Sequence, residues 1–313
     1  MYRVGVDLGG TKIAAALVND NNEILAKASV PTLPERGNDA VAEDIAALVK
    51  AVACEKGVDV KDVSLVGIAT PGAINGDTGY IERACNLYME HYPMRDKLQS
   101  LLGIEKIVLE NDANAAALGE YVAGSAKGAK YSVMITLGTG VGGGFVIDGK
   151  VYSGFNFMGG EFGHMVIEVN GKACNCGRKG CWEAYSSATA LVEKTKEMMD
   201  EYPESAMHGI AAEMGKVSGK TAFIGARAGD EAAQKTVDWY IDHLACGIIN
   251  VINLLQPDIL CIGGGISNEG KGLIDPLLER IAKESFTKSE SRQTEIRIAS
   301  LANDAGIIGA ANL

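Results

Sequence analysis

The sequence predicts an α/β protein of two similar lobes, and three observations carry that reading. A strand, a glycine turn, a second strand, a polar turn and a third strand are legible in YRVGVDLGGTKIAAALVNDNNEILAKASVP. The same layout returns in KYSVMITLGTGVGGGFVIDGKVYSG, displaced by 129 residues so that Leu8 matches Leu137 and Gly9 matches Gly138. Apolar residues recur at the helical period of about 3.6 in 39–56, 186–200 and 230–255, so strands and helices alternate in both halves. A chain of 313 residues also suits two domains of about 100–200 residues each.

Taken in order, the first glycine turn is DLGGTK, residues 7–12. Glycine there lets backbone N–H groups approach an anion, while Thr11 and Lys12 add a hydroxyl and a charge. Thr11 stands where a Walker A loop requires lysine, so that motif is excluded. LVGIATPGAI and KIVLEND read as short buried strands ending in turn or polar residues. The alanine-rich stretch after KIVLEND reads as a helix, with Asp112 at its start as the N-cap, a position that lowers a carboxylate's pKa. The second turn contains a literal G-x-G-x-x-G at Gly138, Gly140 and Gly143. A strand and an Asp-Gly turn follow it instead of a helix, so the dinucleotide reading fails on context. PDILCIGGGISNEG is a third buried strand running into a glycine turn (Gly263, Gly264, Gly265) and then a helix. Two facing hairpin loops and this third turn suit a triphosphate nucleotide. Asp7 is the natural partner of Mg²⁺, directly or through water, and Thr136 occupies the equivalent position in the second lobe. The lobe break is placed in YVAGSAKGAKY, giving 1–122 and 123–301. A helix over 302–313, capped by Asn303 or Asp304, is expected to pack back on the first lobe.

Composition narrows the partners. Hydrophobic residues make up 47%, charged residues 22%, and the net charge is −11 with no basic run, which excludes a nucleic-acid footprint. No secretory leader is visible, and the longest apolar tracts, such as GIINVINLLQPDIL, fall short of a span of about 18–20 uncharged residues. A cytoplasmic protein with no membrane partner is expected. Seven cysteines in a reducing compartment do not make a disulfide framework. Yet three of them, Cys174, Cys176 and Cys181, fall within the polar, glycine-bearing stretch CNCGRKGCWE. The C-x-x-C redox spacing is missing, and metal ligation is the better use of three thiols held so close.

DLGGTK, ENDANAAALGE, TLGTGVGGG, EFGH and CNCGRKGCWE, in that order, resemble the ROK family (repressors, open reading frames and sugar kinases), and within it the bacterial ATP-dependent glucokinases. The resemblance implies a two-lobed actin-like, hexokinase-like ATPase fold of ribonuclease H-like lobes, with nucleotide and sugar in the interlobe cleft. It implies ATP, Mg²⁺ and a structural Zn²⁺ as cofactors. His164 of EFGH would complete a Cys₃His zinc set with Cys174, Cys176 and Cys181. Asp112 would be the general base, and Gly72, Asn111, Glu161, His164 and Glu183 would bind the sugar. Asp7, Gly9, Gly10, Thr11, Lys12, Thr136, Gly138, Thr139, Gly140 and the 263–265 turn would hold the nucleotide and its metal. The implied activity is phosphorylation of a hexose, glucose first, with N-acetylglucosamine, N-acetylmannosamine, allose, mannose and fructose as alternatives. A homodimer or homotetramer is implied as well. The family's regulators carry a helix-turn-helix domain for which no room precedes Asp7, so a sugar-sensing regulator is the minor alternative. One segment departs from the family: CNLYMEHYPMRDKL keeps Asn86 and Leu87 but not the Gly-Trp that follows them in many glucokinases.

Overall fold

A computed structural model describes residues 1–287 and 292–313. The first glycine hairpin becomes β1 (Tyr2–Leu8) and β2 (Lys12–Val18). Asn19 then closes a turn by accepting the Asn21 and Glu23 N–H groups on its side chain, both at 2.9 Å, and β3 (Ile24–Pro31) follows. The amphipathic 39–56 stretch is α1 (Asn38–Glu55), with Val41, Ile45, Leu48 and Val52 among its buried residues. LVGIAT lies in β4 (Val63–Thr70). Three short strands that the sequence did not announce come next: β5 (Ala73–Asn75), β6 (Tyr80–Ala84) and β7 (Met89–Tyr92). They precede α2 (Met94–Leu102), β8 (Ile107–Asn111) and α3 (Asp112–Ala123).

The second meander is β9 (Tyr131–Leu137), β10 (Val141–Ile147) and β11 (Lys150–Val151). Its first two strands match β1 and β2 residue for residue at the 129-residue displacement. The third strand does not match: two residues replace the eight of β3. Gly154, Phe157 and Gly160 all take positive φ just beyond it, which ends pairing. The helical stretch after the metal loop comprises α4 (Glu183–Ser186), α5 (Ala188–Glu201), α6 (Met207–Glu213), α7 (Gly219–Arg227) and α8 (Glu231–Leu255). The fully buried β12 (Ile259–Gly263), then α9 (Lys271–Glu284), β13 (Glu295–Ile298) and α10 (Ala305–Ala310) complete the chain. Among the described residues no helix is long and apolar enough to cross a membrane.

The two main sheets share one topology. The first runs β3-β2-β1-β4-β8 and the second β11-β10-β9-β12-β13. In the first, β2 and β3 pair antiparallel while β1, β4 and β8 run parallel, so the latter three deliver their C-terminal ends to one edge. By contact the chain divides into two compact units. One is Met1–Met134 with Gly144–Gly160 and Ala299–Leu313; the other is Ile135–Gly143 with Glu161–Ile298.

In the first unit, Val4, Val6, Leu8, Ile45, Val49, Ile68 and Leu98 belong to one buried cluster between the sheet and α1–α2. The other face is covered by α10, whose Ile307 packs with the C-cap residue Ala311 on Ala14, Ala16 and Val18. Asp304 does occupy the N-cap position, but its side chain makes no cap bond and pairs instead with Lys27. The helix sits so close that a Cβ on Gly67 would lie 1.7 Å from the Ala310 carbonyl oxygen. Gly67→Ala is therefore expected to cost about 3 kcal/mol, read as a lower urea midpoint at unchanged slope. The tail is also held by the fully buried Glu120 of α3. Its carboxylate accepts the N–H groups of Ser125, Ser300 and Leu301 at 2.7, 3.1 and 2.7 Å.

Candidate functional site

Strand register sets the site in the first unit. Asp7 pairs with Ala69, and Ala69 with Glu110, across three parallel strands. The residues just beyond that row, Pro71–Gly72 after β4 and Asn111–Asp112 at the end of β8, therefore gather with Asp7 at the C-terminal edge, where ligands of α/β sheets bind. Gly72 has φ of 101°, and a Cβ there would meet the Arg83 carbonyl oxygen at 2.2 Å, so only glycine fits that turn. The DLGGTK loop is pinned by Gly9 N–H donating to Lys12 O at 3.0 Å and by the Thr32 hydroxyl donating to Gly9 O at 2.6 Å. This leaves Thr11 and Lys12 exposed.

The cap at the start of α3 is Asn111 rather than Asp112. Asn111 Oδ1 accepts the N–H groups of Ala113 and Asn114 at 2.9 and 3.3 Å. Asp112 is thereby released from capping, though its own carboxylate also accepts Ala113 N–H at 2.8 Å. The expected lowering of its pKa by the helix N-terminus is overturned. Desolvation by the surrounding protein raises the Asp112 pKa and outweighs that backbone hydrogen bond. The side chain is itself exposed, which keeps the rise below that of a fully buried carboxyl. Asp7 is raised too, first by burial and then by the charge of Asp112, against the opposing pull of Lys12 and Lys27. Asp7, a carboxylate whose proton affinity is raised by burial and by a neighbouring negative charge, is a good seat for a divalent cation.

Glu110 carries this edge without having been singled out in the sequence, and Asn86, noted there only as kept from the family pattern, touches it. Glu110 accepts Asn111 N–H at 2.8 Å, Asn114 Nδ2 at 3.1 Å and the Ser153 hydroxyl at 2.6 Å, so it braces the Asn111–Asp112 turn from behind. Asn86 lies against Gly10, where an added Cβ would be 3.1 Å from its own. The acidic residue ahead of Asn111 was the signal for Glu110; nothing in the sequence marked the Asn86 contact.

In the second unit, His164, Cys174, Cys176 and Cys181 offer ligand atoms that all lie within 4.8 Å of one another. Cys174 Sγ is 3.7 Å from His164 Nδ1, and Cys176 Sγ is 3.6 Å from Cys181 Sγ. A tetrahedral zinc with Zn–S of about 2.3 Å and Zn–N of about 2.0–2.1 Å places two sulfurs about 3.8 Å apart and sulfur and nitrogen about 3.6 Å apart. The residues present thus fit zinc. Without it, burial pushes the Cys174 thiol up to about 12, which is unsuited to a nucleophile that must be a thiolate at neutral pH. Nδ1 faces the sulfurs, and His164 Nε2 lies 4.0 Å from Glu161 Oε2, so the other ring nitrogen stays available. Nearby, Val141 N–H donates to Glu183 Oε2 at 3.1 Å, and Gly264 lies against the Leu137 backbone. The 138–140 turn, the 263–265 turn and the metal loop are therefore neighbours within this unit, with Thr139 exposed.

Comparison with known proteins places this arrangement. The ROK family model matches residues 3–313. The chain belongs to the ROK family. It is 38% identical over 311 residues to a glucokinase of Thermotoga maritima, covering 99% of this chain and 96% of that one. It is 30% identical over 314 residues to an N-acetylmannosamine kinase of Salmonella typhi, covering 100% and 98%. Among solved structures it resembles a ROK family glucokinase from Streptomyces griseus in complex with glucose and AMPPNP. That match has a TM-score of 0.81 at 34% identity and covers 100% of this chain and 98% of that one. The two sheets of shared topology in this ROK chain are accordingly those of the two-lobed actin-like, hexokinase-like ATPase fold. EFGH and CNCGRKGCWE together supply the four clustered ligand atoms. Tyr88, the first residue of the segment that departs from the family pattern, holds a left-handed φ of 54° and is 75% exposed.

Proposed function

We propose that this chain transfers the γ-phosphoryl group of ATP to a hexose hydroxyl, converting glucose to glucose 6-phosphate, with Asp112 as general base. The observation that supports this reading most strongly is the Asn111 cap, which relieves Asp112 of that role and leaves its carboxylate, raised in pKa by burial, beside Asp7. Asp112 takes the proton from the attacking hydroxyl. That oxygen then bonds to the γ-phosphorus as its bond to the β,γ-bridging oxygen breaks, and ADP leaves. Such a loose transition state gains chiefly from positioning and charge neutralisation. Thr11, Lys12 and the glycine turns at Gly9–Gly10 and Gly138–Gly140 serve the phosphates, with Thr136 and Thr139 beside them, and 263–265 serves the adenosine side. Magnesium held by Asp7, directly or through water, supplies charge neutralisation. Zinc held by the Cys₃His set is structural.

For the sugar, Gly72, Asn111 Nδ2, Glu161, His164 Nε2 and Glu183 are the proposed hydroxyl partners. A polyol needs several such groups, and a site built on them rejects analogues that lack the right hydroxyl. The lobes proposed from the sequence, 1–122 with 302–313 and 123–301, follow the duplicated meander rather than the compact units. A cytoplasmic homodimer or homotetramer completes the reading.

An N-acetylhexosamine is the second substrate reading, favoured by the likeness to an N-acetylmannosamine kinase and by the Tyr88–Tyr92 departure. Allose, mannose and fructose rank below it, and a non-catalytic sugar sensor lowest. A coupled assay of ADP formation across hexoses, amino sugars and acetylated amino sugars tests the proposal. Glucose should show kcat/KM at least about tenfold above any acetylated sugar, the discrimination that one misplaced contact supplies. A preference for an acetylated sugar would transfer the assignment to it, and no turnover with any sugar would leave the sensor reading.

A further inference from the structure

The 138–141 turn closes on itself through Gly138 N–H donating to Gly140 O at 3.0 Å, and from outside it is held by residues on either side of the metal ligands. Two residues beyond Cys181, Glu183 accepts Val141 N–H on Oε2 at 3.1 Å while its Oε1 lies 3.6 Å from Cys174 Sγ. Further along the same segment, Ala188 N–H donates to Gly138 O at 2.8 Å and the Thr189 hydroxyl donates to Thr139 O at 2.9 Å. On the other side of the ligand set, Gly163, the neighbour of His164, lies so close that a Cβ would be 2.1 Å from Val141 O. Gly140 is equally tight, with its would-be Cβ 2.0 Å from Glu183 Oε2. Every one of these contacts lies within the second compact unit.

We infer that the Cys₃His cluster is a positioning device for the second phosphate loop, acting through Glu183 and the 187–189 turn. The metal loop fixes where α4 begins, α4 aims the Glu183 carboxylate, and that carboxylate sets the orientation of the Val141 peptide at the end of the turn. The carboxylate bond is charge-assisted and part-buried, the kind whose loss is felt most. Metal occupancy then governs nucleotide affinity directly, not only sugar affinity as a sugar-pocket scaffold would. This rests on the proposal that the 138–141 turn holds nucleotide phosphates.

The test measures binding of AMPPNP with excess Mg²⁺ to the intact chain by calorimetry, in the absence of sugar, with zinc content determined on each sample. Glu183→Ala should keep one zinc per chain yet bind AMPPNP about tenfold more weakly, as expected for losing a hydrogen bond to a charged group. Thr189→Val, which keeps shape and touches no proposed substrate, should weaken AMPPNP about threefold and leave sugar binding unchanged. Removing zinc from the parent chain and restoring Mg²⁺ should weaken AMPPNP by at least the Glu183→Ala amount. The same treatment of Glu183→Ala should add much less, because the link is already cut. Parent-like AMPPNP affinity in both zinc-loaded variants overturns the inference and leaves the kinase assignment standing. No AMPPNP binding by the parent chain overturns both.

Discussion

Asp112→Asn lowers kcat by about 10²–10⁴-fold, the span a positioned general base contributes, and leaves AMPPNP affinity within about twofold. The amide keeps the size of the carboxylate and can still accept Ala113 N–H, while Asn111 continues to cap the helix, so α3 has no reason to move. The pH behaviour separates this loss from a general defect. Asp112 titrates above an ordinary aspartate, and a base works only when deprotonated. The acid limb of kcat should therefore fall in a pH range higher than a free carboxyl would give, and it should be absent from the residual activity of the variant. Stability should change in the opposite sense. A carboxyl whose pKa is raised by folding carries no penalty below its unfolded pKa. The penalty grows as pH rises between the unfolded and folded values and is full above the folded one. The neutral amide removes it, so Asp112→Asn should melt slightly higher than the parent at pH 7 and no higher at pH 3. A variant that turns over sugar at near-parental rate would return Asp112 to a structural role and move the search for a base to Glu110 or Asp7.

How much of this was readable beforehand follows from what kind of interaction fixes each part. The hairpins were legible because a period-2 apolar run, a glycine turn and an exact spacing repeat are local facts, and β9 and β10 fall where β1 and β2 place them. The β5–β7 sheet was not. Its strands are three to five residues long, and Tyr88 and His91 hold left-handed conformations that no propensity suggests for them. The metal ligands were legible as residue types, and the fourth only through family likeness, since ten residues separate His164 from Cys174. The identity of the α3 cap was misread because Asn111 and Asp112 are both good caps, and only the backbone decides which sits at the half-turn. The raised pKa of Asp112 was missed for a related reason. The helix-terminus effect is visible in sequence, whereas the desolvation that outweighs it is a tertiary quantity. Glu183 shows the same limit: its place after CNCGRKGCW marked it as important, but its bond to Val141 is long-range in sequence.

Cys181→Ser has the largest expected effect on the folded state. Cys181 is fully buried, unlike Cys176, so the substitution replaces the most deeply placed thiolate of the set with a hydroxyl, a far poorer zinc ligand. Structural zinc sites supply about 10–16 kcal/mol in isolated peptides, and even a third of that is large against a domain's stability. A loss of about 4 kcal/mol lowers the melting temperature of the second unit by roughly 8 °C or more. Zinc content should fall from one per chain towards none. Amide exchange should speed up first in 161–187, where the backbone is stitched by short bridges such as Val166–Cys181 and Ala173–Lys179, while β1, β4 and β8 keep parental protection. Metal affinity in the parent should weaken as pH falls. Ligation requires thiolates, and at neutral pH burial keeps the unligated Cys174 protonated, so loading must release protons. Full zinc content and an unchanged melting temperature in Cys181→Ser would remove Cys181 from the ligand set, and a parent chain that takes up no zinc would mean that the four side chains converge for packing alone.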